Sequence, residues 1–296
     1  MKRHYVGTVD ASRFQTPEHY KTHSSGYTRL ALIDHTVDGS SVHMELALAE
    51  IESGGHLDPV AHAFEKGFYV LGGTIIADID GRSVQLPKDH YGLIPLGVPY
   101  AMYNAGPEPA RLLEMTAPQP KSSDDVFRDT YFYKDGVPTK AGDVPDLGDP
   151  RVSKYLGKFE DSQLPDAGEI AAVGARSGSI TGVAIKEMID RMLGAEHMAM
   201  FMVQFRPGGI GTQHDHPFEE SYFFLSGEAE AILNGTRYRV KAGDIVWTGV
   251  GCMHSFENVG TIPVRWIETQ APLPTQTEAF RFRREWEPVA KKIEGA

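Results

Sequence analysis

Two runs in the second half of the chain constrain its fold more than any other feature. The first is Gly208-x5-His214-x-His216-x3-Glu220-x6-Gly227, and the second is Gly243-x5-Gly249-x-Gly251-x2-His254-x3-Asn258. Turn residues cut both into short lengths: Leu225-Ser226-Gly227, Asn234-Gly235 and Ala242-Gly243-Asp244. Gly, Asn and Asp tolerate the backbone that tight hairpins require, so the pieces between them read as short antiparallel strands. His214 and His216 are two apart, and on a strand such residues point to one face. Glu220 opens the next apolar run, Tyr222-Phe223-Phe224-Leu225, whose strand can lie alongside, while His254 must be delivered by a later strand. Three imidazoles and a carboxylate at these spacings can hold a divalent first-row metal.

Position by position, the two runs resemble the two signature motifs of the cupin superfamily. One departure is Gly249, where motif two usually has Pro. The resemblance implies a small double-stranded β-barrel with His214, His216, Glu220 and His254 as ligands of one divalent transition metal. Mixed imidazole and carboxylate donors suit Mn, Fe, Ni, Co, Cu or Zn and do not choose among them.

The first half echoes the second. Gly55-x6-His62-x2-Glu65-x6-Gly72 follows motif one, and Pro95-x-Gly97-x2-Tyr100-x3-Asn104 follows motif two and keeps the Pro. Strand-like stretches surround them: Val42 to Ile51, Phe68 to Leu71, Thr74 to Ile79, Ser83 to Leu86 and Arg111 to Thr116. The ligand set of this copy is damaged. Tyr100 replaces the motif-two His, and Val60 or Ala61 stands where the second motif-one His would fall. His56, Asp58, His62 and Glu65 leave a shifted second metal set as the alternative to a barrel kept for packing.

The expected fold is therefore all-β: two tandem cupin barrels of the double-stranded β-helix, or jelly-roll, type, with an inter-barrel linker containing a short helix. The expected divisions are residues 1–120 for the degenerate barrel, 121–197 for the linker, 198–275 for the metal-binding barrel and 276–296 for a tail. Lys121 to Asp149 is rich in Asp, Gly, Pro and Lys and reads as loop. Val183, Ile185, Met188, Ile189, Met192 and Leu193 recur at helical spacing, with Gly194 as a stop. In the tail, Phe280, Phe282, Trp286 and Val289 stand among charges and could pack on a barrel or a neighbouring subunit.

The 296 residues suffice for two ordinary domains with ample core. A formal net charge of −11 argues against nucleic-acid or anionic-membrane partners. The single cysteine, Cys252, excludes an internal disulfide and fits a reducing cytoplasm, the expected location. Met1-Lys2-Arg3-His4-Tyr5 lacks the apolar core of a signal peptide, and the apolar stretches are too short for a membrane helix. The expected partners are a small-molecule substrate and further copies of the chain, with a dimer the first expectation.

By strand parity Tyr222 and Phe224 share the face of Glu220. Gln204 and Arg206 alternate on the strand before motif one, and Trp247 precedes motif two. Tyr222 and Gln204 are the candidate catalytic residues. Cys252 has no His-Asp partner placed for it and reads as a buried structural thiol.

Four protein ligands leave open positions on an ion that prefers five or six, which marks catalysis rather than structural support. The two-barrel plan, the long linker and the strand Met200 to Gly208 look like the ureidoglycine aminohydrolase group of bicupins. In that group a Gln takes the place of the motif-two His, which here is His254. The complete three-His, one-Glu set is similar to that of cupin dioxygenases, quercetin dioxygenases among them. The expected function is a metal-dependent enzyme acting on a small oxygen-rich carboxylate, carbonyl or enol, with dioxygenase chemistry preferred. The alternatives are a Lewis-acid aminohydrolase, lyase or isomerase, and a non-catalytic small-ligand-binding bicupin.

Overall fold

The computed structural model describes residues 3–36, 41–120, 129–133, 142–149, 152, 155–164, 180–273 and 281–282. In the first half the strands are β1 (His4–Thr8), β2 (Ser24–Ile33), β3 (Glu45–His62), β4 (Glu65–Gly72), β5 (Thr74–Ile79), β6 (Arg82–Pro87), β7 (His90–Ile94), β8 (Tyr100–Tyr103), β9 (Ala110–Ala117) and β10 (Thr130–Phe132). In the second half they are β11 (Leu156–Lys158), β12 (Ile180–Ile189), β13 (Ala199–Asp215), β14 (Glu219–Ser226), β15 (Glu228–Leu233), β16 (Thr236–Lys241), β17 (Asp244–Thr248), β18 (His254–Glu257), β19 (Val264–Ala271) and β20 (Arg281–Phe282). Turn chemistry follows the sequence: Asn234 and Gly235 both have positive φ in the β15–β16 hairpin, and Asp80 and Gly81 do the same between β5 and β6.

These strands form two ten-stranded sheets with one topology. One runs β11-β7-β4-β9-β3-β8-β5-β6, with β2 and β10 on β3; the other runs β1-β17-β14-β19-β13-β18-β15-β16, with β12 and β20 on β13. The leading strands are exchanged. β1 pairs antiparallel with β17 of the second barrel, and β11 pairs with β7 of the first.

Strand alternation sends side chains to two places. Phe68 and Val70 of β4 fill the first barrel, and Tyr222 and Phe224 of β14 fill the second. Their neighbours Tyr69 and Phe223 face the opposite way, into a shared core that joins Leu46, Leu48, Leu113 and Met115 to Met200, Met202, Trp247 and Ile267. Two carboxylates fasten this interface. Glu65 accepts hydrogen bonds from the backbone N–H groups of Glu196 (2.8 Å) and His197 (2.9 Å). Glu219 reciprocally accepts from the N–H of Val42 (2.9 Å) and the hydroxyl of Ser41 (2.5 Å).

The helix expected between Val183 and Leu193 is absent: β12 runs to Ile189, paired with β13, and a turn follows. Val183 enters the second barrel, whereas Met188 and Ile189 enter the shared core, and Met192 is 90% exposed. The helical spacing was a coincidence of residues serving two cores. Ile180, Thr181, Val183 and Ile185 are β-branched and fit a pleated strand. Gly194, with positive φ, closes a turn in which the Asp190 carboxylate accepts from the Leu193 N–H at 3.0 Å. The tail residues Phe280, Trp286 and Val289 lie outside the described residues. The backbone of β20 places Phe282 opposite His214 in register.

Candidate metal centre

Motif spacing becomes geometry through the turns. Asn258 donates to the carbonyls of Phe205 (2.9 Å) and Ile262 (2.9 Å), and its own carbonyl accepts from the Gly260 N–H (2.9 Å). Asn104 makes the same three contacts in the first barrel, with Ile51, Glu108 and Gly106. These buried amides tie the end of β8 or β18 to the bend in β3 or β13. They thereby fix where the residue at the start of the strand, Tyr100 or His254, points.

His214, His216, Glu220 and His254 meet inside the second barrel. Each offers a ligand atom, and these atoms all lie within 4.8 Å of one another. His214 and His254 are register partners across β13 and β18, and Glu220 comes from β14. His216, Glu220 and His254 are buried, and His214 is half-buried.

The histidine tautomers follow from their other nitrogens. His214 Nδ1 lies 2.8 Å from the Thr212 carbonyl, His216 Nδ1 2.8 Å from that of Phe218, and His254 Nδ1 2.8 Å from that of Cys252. A carbonyl only accepts, so each Nδ1 carries the proton and each Nε2 presents a lone pair. Yet His216 Nε2 stands 2.7 Å, and His254 Nε2 3.2 Å, from Glu220 Oε2. A lone pair facing a carboxylate at those distances repels it, so either a proton on the nitrogen or a metal cation must lie between them. The donor set thus fits a divalent metal, and the backbone carbonyls are what pre-set it.

Surrounding groups hold the carboxylate. Gln270 Nε2 donates to Glu220 Oε1 at 2.8 Å, and the Tyr222 hydroxyl donates to Oε2 while lying 3.1 Å from His254 Nε2. The His216 ring stacks on Phe218 with centroids 4.0 Å apart. Burial, reinforced by His254, drives His214 down to about 3. Burial alone would raise Glu220, but the His216 and His254 partners hold it well below the carboxylate range. Both groups are therefore already in the deprotonated form that metal ligands require.

Of the two candidate catalytic residues, only Tyr222 faces this cluster. Gln204 stands on the other face of β13, where its carbonyl accepts from Arg265 Nε (3.0 Å) and Nη2 (2.7 Å). Trp247 lies in the shared core and donates to Glu219 at 3.3 Å. Cys252 is buried, and burial pushes its thiol up to about 12.

The first barrel departs from the sequence reading by one register step. Gly54, whose N–H donates to the Asn104 carbonyl, is the counterpart of Gly208, whose N–H donates to that of Asn258. The same offset makes Val60 the counterpart of His214, His62 that of His216, Lys66 that of Glu220 and Tyr100 that of His254. Glu65 corresponds to Glu219 and serves the interface. Lys66 Nζ instead pairs with Glu114 at 3.2 Å, and Glu114 also accepts from Arg29 Nε at 3.0 Å. His62 is bonded to Tyr100 (2.9 Å) and Thr130 (3.0 Å). His56 and Asp58 approach no closer than 3.5 Å and sit apart from His62 and Glu65 in this network. Among the described residues only the second barrel brings metal-ligating atoms together. A buried ammonium where Glu220 stands in the other barrel repels a cation from the first.

Sequence reasoning missed Gln270, Glu268 and the pair Lys66–Glu114. The available signal was a glutamate repeated at one place after an apolar pair in two matching strands, Leu112-Leu113-Glu114 and Trp266-Ile267-Glu268. Burial, then the charge of Glu220, pushes Glu268 up to about 8.

Comparison with known proteins agrees with this architecture. Residues 47–116 and 201–269 match the family model of the cupin domain. The chain is 30% identical over 77 residues to the tetracenomycin polyketide synthase protein TcmJ of Streptomyces glaucescens. That match covers 26% of this chain and 52% of the relative, so the chain spans about half the length of the curated relative it matches. Among solved structures, a salicylate 1,2-dioxygenase variant of Pseudoaminobacter salicylatoxidans in complex with gentisate superposes with a TM-score of 0.66 at 13% identity, over 82% of this chain and 74% of that one. The formate complex of oxalate decarboxylase from Lactobacillus farciminis superposes with a TM-score of 0.64 at 12% identity, over 100% and 93%. At these identities the likeness is one of fold.

Proposed function

Since the chain is a bicupin of the cupin superfamily, with a cupin domain in each half, we propose that its second barrel is a metal-dependent catalytic centre acting as a dioxygenase on a small oxygen-rich substrate. His214, His216, Glu220 and His254 are its metal ligands. The observation that carries this reading is the convergence of three Nε2 lone pairs and one carboxylate within 4.8 Å inside a barrel. When bound there, a divalent ion supplies Lewis acidity toward a chelating pair of oxygens and, if redox-active, a route to O2.

The chain's own residues do the rest. Gln270 and Tyr222 fix the Glu220 carboxylate from two sides. The carbonyls of Thr212, Phe218 and Cys252 fix the imidazole rings. Tyr222, Phe224, Phe256 and Trp266 line the barrel with buried aromatic surface, which keeps bulk water from the ligands and suits a planar substrate. Relatives bind small oxygen-rich molecules of this kind, as gentisate and formate in the two solved complexes illustrate.

A Lewis-acid reading, as an aminohydrolase of ureidoglycine type, lyase or isomerase, is favoured by one observation: a solved structure of similar fold that spans all of this chain is a decarboxylase. Anaerobic turnover separates the two. Protein purified without a His tag is analysed for metal, then screened with small diketones, catechols and ureides in an oxygen electrode. Oxygen uptake in step with substrate loss is expected. Full activity under nitrogen would remove the dioxygenase and leave the Lewis-acid reading, and ammonia release would select the aminohydrolase.

A further inference from the structure

The two barrels treat one interior carboxyl in opposite ways. In the first, Glu114 is buried and neutralised by Lys66 and Arg29. Its counterpart in the second is Glu268, and the places of Lys66 and Arg29 are held by Glu220 and Ile185. Among the described residues no lysine or arginine pairs with Glu268. Its oxygens accept only neutral donors, Trp266 Nε1 at 3.1 Å and Gln270 Nε2 at 3.3 Å. The same Gln270 amide reaches Glu220, so Glu268 is one side chain removed from the metal ligands.

Glu268 is also reachable. It shares the inward face of β19 with Trp266 and Gln270, opposite Tyr222 on β14 and Phe201 on β13. Both Glu268 and Phe201 are half-buried, where Glu114 at the same place is fully buried. Glu268 is therefore less enclosed than Glu114, and among the described residues no cation pairs with it. An apolar barrel holding such a group is built to receive a hydrogen-bond donor from a ligand.

We propose that Glu268 is the specificity-determining residue of the second barrel, accepting a hydroxyl hydrogen bond from a small phenol or enol chelated at the histidine cluster. This rests on the reading of the cluster as a metal centre, because the metal holds the other oxygens of the ligand. Glu268 then selects for a further hydroxyl and contributes nothing to metal binding.

The test uses full-length protein loaded with cobalt(II), counted by elemental analysis and titrated calorimetrically. The probes are 2-hydroxybenzoate and the four dihydroxybenzoates that retain the 2-hydroxyl. Each offers the metal the same carboxylate and phenol, and the dihydroxybenzoates add one donor. Wild type is expected to bind at least one dihydroxybenzoate ~10-fold tighter than 2-hydroxybenzoate, the upper end of the gain from one hydrogen bond between neutral groups. In Glu268→Met that preference should shrink to about twofold with metal content and 2-hydroxybenzoate affinity unchanged, and Glu268→Gln, which keeps an acceptor, should retain part of it. One metal per chain without a preference in wild type, or with a preference that survives in Glu268→Met and in Glu268→Gln alike, overturns the inference alone. Less than one metal per chain in wild type overturns the metal-centre reading and the inference with it.

Discussion

Replacing Lys66 by methionine isolates the physics that separates the two barrels. The Lys66 ammonium and the Glu114 carboxylate are 2% and 1% exposed and 3.2 Å apart. At an effective dielectric of about 20 their attraction is about 5 kcal/mol. Methionine matches the lysine stem in length and apolar character, so packing changes little. What is lost is the partner of a buried charge, and such losses cost about 3–5 kcal/mol. Arg29 still faces Glu114 at 3.0 Å, which places the expected value toward the lower end of that range. At about 2–4 °C per kcal/mol for domains of ordinary size, the melting temperature should fall by roughly 6–20 °C. Scanning calorimetry and urea unfolding measure this, and elemental analysis of the same samples should show unchanged metal content. Adding Glu114→Gln should recover at least half of the loss, because Arg29 retains Glu45 at 2.5 Å as its partner. A loss below about 1 kcal/mol, no recovery in the double variant, or loss of metal would refute the account of the first barrel as a charge-paired, metal-free core.

Three further expectations concern the second barrel. His214→Ala, His216→Ala and His254→Ala should each reduce bound metal sharply, whereas His62→Ala should not; near two metals per chain in wild type would contradict this. Tyr222→Phe and Gln270→Leu each remove one hydrogen bond to Glu220 and should weaken metal affinity about 10–100-fold, measured by competition with a chromophoric chelator. Cys252 should react with a disulfide reagent at pH 8 at least a thousandfold more slowly in native than in urea-unfolded protein, since burial raises the thiol to about 12 and thiolate is the reactive form; comparable rates would show the site to be open.

The second-barrel cluster was legible because its information is local. His214-x-His216 needs only the two-residue period of a strand, and Glu220 lies within the next one. His254 was legible through the glycines and Asn258, whose turn roles hold wherever the hairpin sits. The repeat in the first half was visible for the same reason, through Tyr100 and Asn104. Its alignment slipped by one residue at motif one because Glu65 looks like the missing ligand. Only the strand register shows that Glu65 faces the other barrel while Lys66 faces inward.

The sequence by itself determined that the chain is built of turn-punctuated strands, that it carries the same motif pair twice, and that three imidazoles and a carboxylate are available in the second copy. Those are consequences of residue type and spacing, which act over a few positions. Tertiary structure decided the rest: β12 is a strand because β13 supplies its backbone partners and two separate cores take its side chains. It also decided that β1 and β11 are exchanged between the barrels and that Glu114 has two cations where Glu268, among the described residues, has none. Each of these depends on which residues distant in the chain share the inside of one barrel, and a charge or an apolar side chain acquires its energy only from the neighbours that enclosure brings to it.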